Sequence, residues 1–335
     1  MDANRRYQPF DLRGLETYEL RDRPSKVFHT DLGRPVGAEA TVAAWLEALP
    51  GQLAARSLKA VRDHLCRAYA GGHPVVAALG GHVIKTGCGP YLIDWIQRGL
   101  IHAVAMNGSA AIHDLELALV GKTSEDVASQ LVGGKFGMAR ETADAFAVAA
   151  REGSQEGRGL GWALGRFLAA QSCAAPQCSV LLAAYQAGIP ATIHVALGTD
   201  IVHMHPHVSG AALGDSSLLD FRLLCAVLAR MEQGVWLNLG SAVIMPEVFL
   251  KAVSVVRNFG YQLDGLVSVN FDKQASYRSR VNVVERPVHE GIEIIGHHEI
   301  LIPLLHAAVA AQLAAQTAGA AGPQNHGPQI HKEAA

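Results

Sequence analysis

From about residue 74 the apolar positions fall into short unbroken runs, each followed by a Gly- or polar-rich turn and then a segment with helical periodicity. "PVVAALG" leads into "GHVIKTGCGPYLIDWIQRG", and "IHAVAM" into "NGSAAIHDLELALVG". "PATIHVALG" gives way to "TDIVHMHPHVSGAALGDSS", "GVWLNLG" to "SAVIMPEVFLKAVSVVRNFG", "LDGLVSVNFD" to "KQASYRSR", and "GIEIIG" to "HHEILIPLLHAAVAAQLAAQ". Runs that do not alternate predict strands covered on both faces, which is the environment of a parallel sheet. The repeated order predicts an α/β fold, a Rossmann-like doubly wound parallel sheet with flanking helices.

Residues 123–188 predict mostly helices, and "DFRLLCAVLARMEQG" has apolar residues at helical spacing, with Cys225 among them. Three segments follow: a largely helical N-terminal extension over 1–72, a Rossmann-like domain over 73–316, and a flexible Ala/Gly/Pro/Gln-rich tail over 317–335 in which His326 and His331 are solvated. Trp45, Trp95, Trp162 and Trp236 are assigned to the core.

Composition narrows the partners more than the fold. Half of the 335 residues are apolar, enough for a large core. The net charge of -2, with no Lys/Arg-rich run, gives no basic field for nucleic acid. Five scattered cysteines fit a reducing compartment, and Cys173 and Cys178 are too loosely spaced to signal zinc. "MDANRRYQPFDLRG" has no apolar stretch after its charges, and the apolar segment from Ile300 to Ala315 is interrupted by Pro303, His306 and Gln312. The expectation is a soluble cytoplasmic protein with no membrane contact.

In open parallel sheets, ligands meet the carboxyl ends of strands, where turns and helix starts present backbone N–H groups. The turns here are "GGHVIKTG", "NGSAAIHD", "GTDIVHMHPH", "LGSAVIMPE", "NFDKQAS" and "GHHE". Glycine at nearly every one lets a ligand approach the backbone closely. Neither G-x-G-x-x-G nor a P-loop occurs among them.

In order and spacing, "LGGHVIKTG", "AVAMNGSAAIHDLEL", "IPATIHVALGTD", "LNLGSAVIMPE" and "VSVNFDKQAS" resemble the ligand-contacting turns of the deoxyhypusine synthase family, over about residues 75–310. The resemblance implies a Rossmann-like domain that binds NAD and a homotetramer with active sites at subunit interfaces. In that family a lysine captures an aminobutyl group from a polyamine. The positions implied for NAD are Gly81, His82, Lys85, Thr86, Gly87, Asn107, Gly108, Ser109, Asp114, Asp200, Gly240, Ser241, Ser268, Asp272 and Ser276. Where the family has its catalytic lysine this chain reads "SYRSRVNVVERPVHEGIEIIG", and no lysine lies between Lys273 and Lys332. Arginine cannot form an imine, because its guanidinium stays protonated. The family's paired glutamates are replaced by Ile112 and His113, a histidine by Pro246, and a strand-end aspartate by His297. The expectation is an NAD-binding enzyme with altered chemistry on an amine or related small substrate.

His113, His203, His205 and Lys85 are the candidate catalytic residues, with Lys273 a second candidate amine. Two alternatives stand beside this. In "TDIVHMHPH", Pro206 biases its predecessor toward extended geometry, and His203, His205 and His207 with Asp200 would then make a zinc, iron or manganese site. His194, His113, His297 and His298 would complete a histidine-rich rim. The third reading is a nucleotide-binding scaffold without catalysis. Arg278, Arg280 and Arg286 near Glu285 are placed to grip an anion, and Glu247 is an ordinary first-turn carboxylate.

Overall fold

The computed structural model describes residues 7–320. In chain order the elements are α1 (Val42–Ala48), α2 (Leu53–Gly71), β1 (Val75–Leu79), α3 (Gly81–Lys85), α4 (Gly89–Gln97), β2 (Ala103–Asn107), α5 (Gly108–Val120), α6 (Val127–Val132), α7 (Arg140–Glu156), α8 (Leu160–Ala169), α9 (Val180–Ala187) and β3 (Ala191–His194). They continue with α10 (Gly210–Leu228), β4 (Val235–Leu239), α11 (Ile244–Asn258), β5 (Val267–Asp272), α12 (Tyr277–Ser279), β6 (Glu290–Ile295) and α13 (His298–Ala320). The strands form one six-stranded sheet in the order β3-β2-β1-β4-β5-β6, parallel throughout. This is the doubly wound arrangement expected from the runs, and its order reverses between β1 and β4.

Successive residues of a strand point to opposite faces. Val75, Ala77 and Leu79 enter a core built with α2, α4, α5, α9 and α13. Val76, Ala78 and Trp236 enter a second core under α10 and α11, where Trp236 stacks on Phe249 with ring centroids 4.3 Å apart. Covering on both faces is why the strand sequences do not alternate.

The central approach occurs just past the strand ends. Gly80 donates its N–H to the Leu239 carbonyl, and a Cβ on Gly80 would lie 1.9 Å from the Gly240 carbonyl oxygen. Gly240 has φ +64° and donates in turn to Phe271, so the rim is stitched glycine by glycine.

A second anchor fixes the β3 edge. Asp220, buried on α10, accepts N–H donors from Gly161 at 2.9 Å and Ile193 at 2.8 Å. Burial outweighs those donors and pushes its carboxyl up to about 8.

The N-terminal extension differs from the expectation. Residues 7–41 contain only three short 3-10 turns, with Pro9, Pro24 and Pro35 interrupting helical hydrogen bonding. Helix α2 is no separate extension, since Leu58, Val61, Leu65 and Cys66 are buried in the first core. Trp45 is 39% exposed, contrary to its assignment to the core, while Trp95 and Trp236 are buried. Trp162 is half-buried, with the Arg158 and Arg166 guanidinium carbons 4.7 and 4.6 Å from its ring centre. Among the described residues one helical stretch, His298–Thr317, is long and apolar enough to cross a membrane. Its Ile302, Leu305, Ala308 and Val309 pack into the first core. His326 and His331 lie outside the described residues.

Gly80→Ala is expected to cost about 3 kcal/mol through the clash at the Gly240 carbonyl, read as a lower urea midpoint. For Asp220 the folded-state pKa exceeds the unfolded one, so the folded protein binds more protons. Its contribution is complete below about pH 4 and is lost as pH rises through about 8. Asp220→Asn is expected to flatten the fall in urea midpoint between pH 6 and 9 that the unsubstituted protein shows; an unchanged slope assigns that fall to another group.

Candidate functional site

The carboxyl ends of β1, β2 and β3 converge on a cavity of about 260 Å³. Lys85 and His113 line it together with Ser109, Glu116, Glu125 and Asp200. Glycine makes this convergence geometrically feasible. A Cβ on Gly81 would lie 2.3 Å from Ser109 Oγ, and one on Gly108 would lie 2.0 Å from Asp200 Oδ2. Asn107 ends β2 and caps α5 by accepting the Ala110 N–H at 2.9 Å.

His113 belongs to a relay that only the fold assembles. Thr123 Oγ1 donates to Glu116 Oε2 at 2.5 Å, and His113 Nδ1 stands 2.7 Å from the same hydroxyl. The hydroxyl proton is committed to the carboxylate, so the oxygen accepts from His113 Nδ1–H and leaves Nε2 with a lone pair. Thr142 holds the other carboxylate oxygen of Glu116 at 3.0 Å. Burial, helped by the Lys85 ammonium, lowers His113 to about 4, so the ring is neutral near pH 7.

Asp200 lines the cavity's other side, and His203 stands behind it, both side chains only 10% exposed. His203 Nδ1 accepts N–H donors from Gly198 at 3.0 Å and Asp200 at 3.2 Å, which puts the ring proton on Nε2. Nε2 and Asp200 Oδ2 are 3.9 Å apart, beyond a hydrogen bond, and neither has a protein partner. Two facing buried polar atoms without partners are the usual mark of a place for a ligand or water. Burial raises the Asp200 carboxyl, and His203 opposes that rise.

On the β1/β4 side stand His82, Gly240 and Ser241. His82 Nδ1 is 3.0 Å from His298 Nδ1, and His298 Nε2 is 3.2 Å from the Phe271 carbonyl oxygen. Burial, His298, Lys85 and Lys273 all lower the His82 pKa. Ser241 Oγ accepts the Met245 N–H in the first turn of α11, and Thr86 and Gly87 close the turn after α3, with Gly87 at φ +80°. Asp272 accepts the Lys273 N–H through Oδ1 and keeps Oδ2 buried without a partner, while Ser276 caps α12.

Several candidates stand elsewhere. Asp114 is fully buried and accepts from Ser179 Oγ, Val180 N and Leu181 N, so its carboxylate caps α9 rather than facing the crevice. Ser268 sits inside β5 and donates to the Val283 carbonyl. The stretch "TDIVHMHPH" is not extended: Ile201–Met204 form a 3-10 turn, and the three rings take different partners. His205 bonds the Gly137 carbonyl at 2.9 Å and His207 the Asp144 carboxylate at 2.9 Å, so with His203 held on backbone they do not converge on one ion. Among the described residues no group of three or more His, Cys, Asp or Glu side chains is placed to hold a metal.

The wider rim disperses as well. His194 is buried against Thr192 and lowered to about 3 by burial, while His297 is exposed beside Glu299. Arg278 pairs with Glu247, Arg280 with Glu285, and Arg286 with Asn282, which leaves the anion grip spent on neighbours. Glu247 itself also holds Lys251 and Asn282, more than a first-turn carboxylate needs. Sequence reasoning missed Glu116 and Glu125 as cavity groups and Thr123 as the hydroxyl that links His113 to Glu116, and left His298 as a rim residue. Glu116 carried one signal, its place one helical turn after His113.

No family model matches the chain, and no curated protein does. Solved structures resemble it in fold. The ternary complex of AgrE with ornithine and NAD+ superposes with a TM-score of 0.54 at 16% identity, covering 80% of this chain and 35% of that one. A provisionally named LOR/SDH protein from Methanococcus maripaludis S2 gives 0.50 at 16% identity, covering 78% and 71%. A provisionally named deoxyhypusine synthase from Entamoeba histolytica gives 0.48 at 11% identity, covering 83% and 96%. The chain thus spans about a third of the AgrE structure. The first two likenesses support the α/β fold, and none of them shows membership of the deoxyhypusine synthase family.

For His113 the folded-state pKa lies below the unfolded value, so between about pH 6.5 and 4 the unfolded chain binds the extra proton and stability falls with acidification. His113→Gln is expected to shrink the drop in urea midpoint between pH 7 and 4.5; an equal drop in both proteins refutes the buried neutral ring.

Proposed function

We propose that the protein is an NAD-binding enzyme acting on an amine or related small substrate, with the dinucleotide across the β1/β4 crevice and the substrate in the adjoining cavity. The observation that carries this is the switch point itself. Two backbone turns meet there without an intervening side chain, and a cavity with an unpartnered buried carboxylate opens alongside.

The residues present fit such a group. The start of α5 offers the Gly108 and Ser109 N–H groups to a phosphate, and Lys85 and Lys273, which both act on His82, supply positive charge near the crevice. Asp200 Oδ2 is free to accept a hydrogen bond from a hydroxyl or ammonium. When bound, NAD would supply a hydride acceptor. Glu116, Glu125 and Asp200 outnumber the Lys85 ammonium around the cavity, which favours a cationic substrate. His113 presents a neutral ring there. The AgrE complex with ornithine and NAD+ supports the reading as an analogy of fold. Lys85 lines the cavity, but the family's lysine position stays empty of an amine, so aminobutyl transfer through an imine at that place is not part of the proposal.

A homo-oligomer, a tetramer by the resemblance, and a cytoplasmic location belong to the same proposal. Exposed Tyr7, Phe10, Leu12 and Leu15 on the N-terminal segment support the oligomer. Sedimentation at micromolar concentration tests it, and a monomer sinks that part.

NAD+ at 100 times its dissociation constant is expected to stabilise the protein by about 2.7 kcal/mol, visible as a raised thermal midpoint. Asp200→Asn and Gly108→Ala are each expected to remove most of that rise. The absence of any rise with NAD+ in the unsubstituted protein overturns the reading.

A further inference from the structure

On the reading of this crevice as a ligand site, we propose that His82 is its proton acceptor and that His298 is the residue that positions it. His82 is the second residue of α3, at the carboxyl end of β1, and His298 opens α13 after β6. Elements far apart in the chain thus place the two rings with centroids 5.1 Å apart.

The chain of contacts dictates where each proton sits. The Phe271 carbonyl can only accept, and it already receives the Gly240 N–H. His298 Nε2, 3.2 Å away, is therefore the donor, and with one proton on its ring its Nδ1 carries a lone pair. His82 Nδ1, 3.0 Å from that lone pair, must then hold the His82 proton. The remaining nitrogen, His82 Nε2, is a base with no protein partner among the described residues, and it is not among the buried unpartnered atoms. His298 is 1% exposed and its ring lies 3.1 Å from where a Cβ on Gly240 would be, so it has little freedom to turn away. A base oriented by a second ring, itself held by a backbone carbonyl, follows the nucleophile–base–orienter logic of catalytic sites without its carboxylate.

In the step assigned to it, His82 Nε2 takes a proton from an O–H or N–H group of a substrate that reaches from the cavity into the β1/β4 crevice. The X–H bond breaks, an N–H bond forms, the electron pair stays on X, and the imidazole becomes an imidazolium. The imidazolium keeps its Nδ1–H bond to His298 throughout. The titratable and charged groups around His82 are Lys85 on its own helix, Lys273 after β5, and His298 and Glu299 on α13. Burial first, then His298 and the Lys85 and Lys273 ammoniums, lower the His82 pKa and so favour the neutral ring, against Glu299.

The test is the tautomer of His82 in the ligand-free protein. Free histidine favours the proton on Nε2, and the relay demands it on Nδ1. Nitrogen-15 spectra of the ring nitrogens near pH 8, assigned by the signals lost in His82→Gln, are expected to show His82 protonated at Nδ1. His298→Asn, which keeps an acceptor near the position of Nδ1, is expected to preserve that state, and His298→Phe to return His82 to the Nε2–H form. Diethyl pyrocarbonate, which attacks unprotonated ring nitrogens, is expected to modify His82 and spare His298. An unsubstituted protein with His82 protonated at Nε2, or with His82 inert to the reagent, overturns the proposal, and neither measurement needs His298→Phe to fold. Since no dinucleotide is present, failure here is distinct from failure of the NAD+ shift.

Discussion

The close approach of two backbone turns at the point where the strand order reverses is the constraint on which the rest depends. Gly80 must come within contact of the Gly240 carbonyl, and no side chain larger than hydrogen fits between them. Because β1 and β4 diverge into helices on opposite faces just beyond that contact, a crevice opens there. The same economy of side chains recurs at Gly81 against Ser109 and Gly108 against Asp200. Backbone proximity thus generates the cavity, and larger residues at these glycines would fill it.

Around that opening the charge is arranged by burial. Asp200 and His203 face each other too far apart to bond, and Glu116 is held by two threonines. His113 and His82 are both driven toward the neutral form by desolvation, so each offers a lone pair where an exposed histidine would be partly charged near pH 6.5. The structure spends its other polar groups on architecture. Asp114 caps α9 and Asp220 ties α8, β3 and α10, two carboxylates whose raised pKa values reflect anchoring rather than reactivity. A shifted pKa in this protein therefore marks burial first and chemistry only where a cavity accompanies it.

Non-alternating runs and glycine turns made the parallel sheet, its helical cover and the positions of the ligand-facing turns legible. Those signals are local, since strand and helix periodicities repeat within a few residues. Gly81, Gly108, Lys85, His113 and Asp200 could be singled out because each lies in a turn or within the first two helical turns after a strand. "TDIVHMHPH" misled for an equally local reason: Pro206 restricts its predecessor, yet a 3-10 turn at Ile201–Met204 had already rotated the side chains apart. The residues before α1 misled differently, since helix-favouring residues there are broken up by prolines.

The sequence by itself determined the class of fold and which turns would border a crevice, because backbone geometry and burial periodicity act over short separations. Only the tertiary structure decided which polar groups face a ligand and which hold helices together. Asp114 and Asp200 are the same residue type in comparable turn-proximal places, but one finds three donors on the α9 segment and the other keeps an unpartnered oxygen beside Gly108. His82 and His298 are separated by most of the domain and become hydrogen-bonded partners only because the fold brings the start of α13 beside α3. The physical reason is that a hydrogen bond is satisfied by whatever partner the fold brings within about 3 Å, and that distance carries no trace in the order of residues.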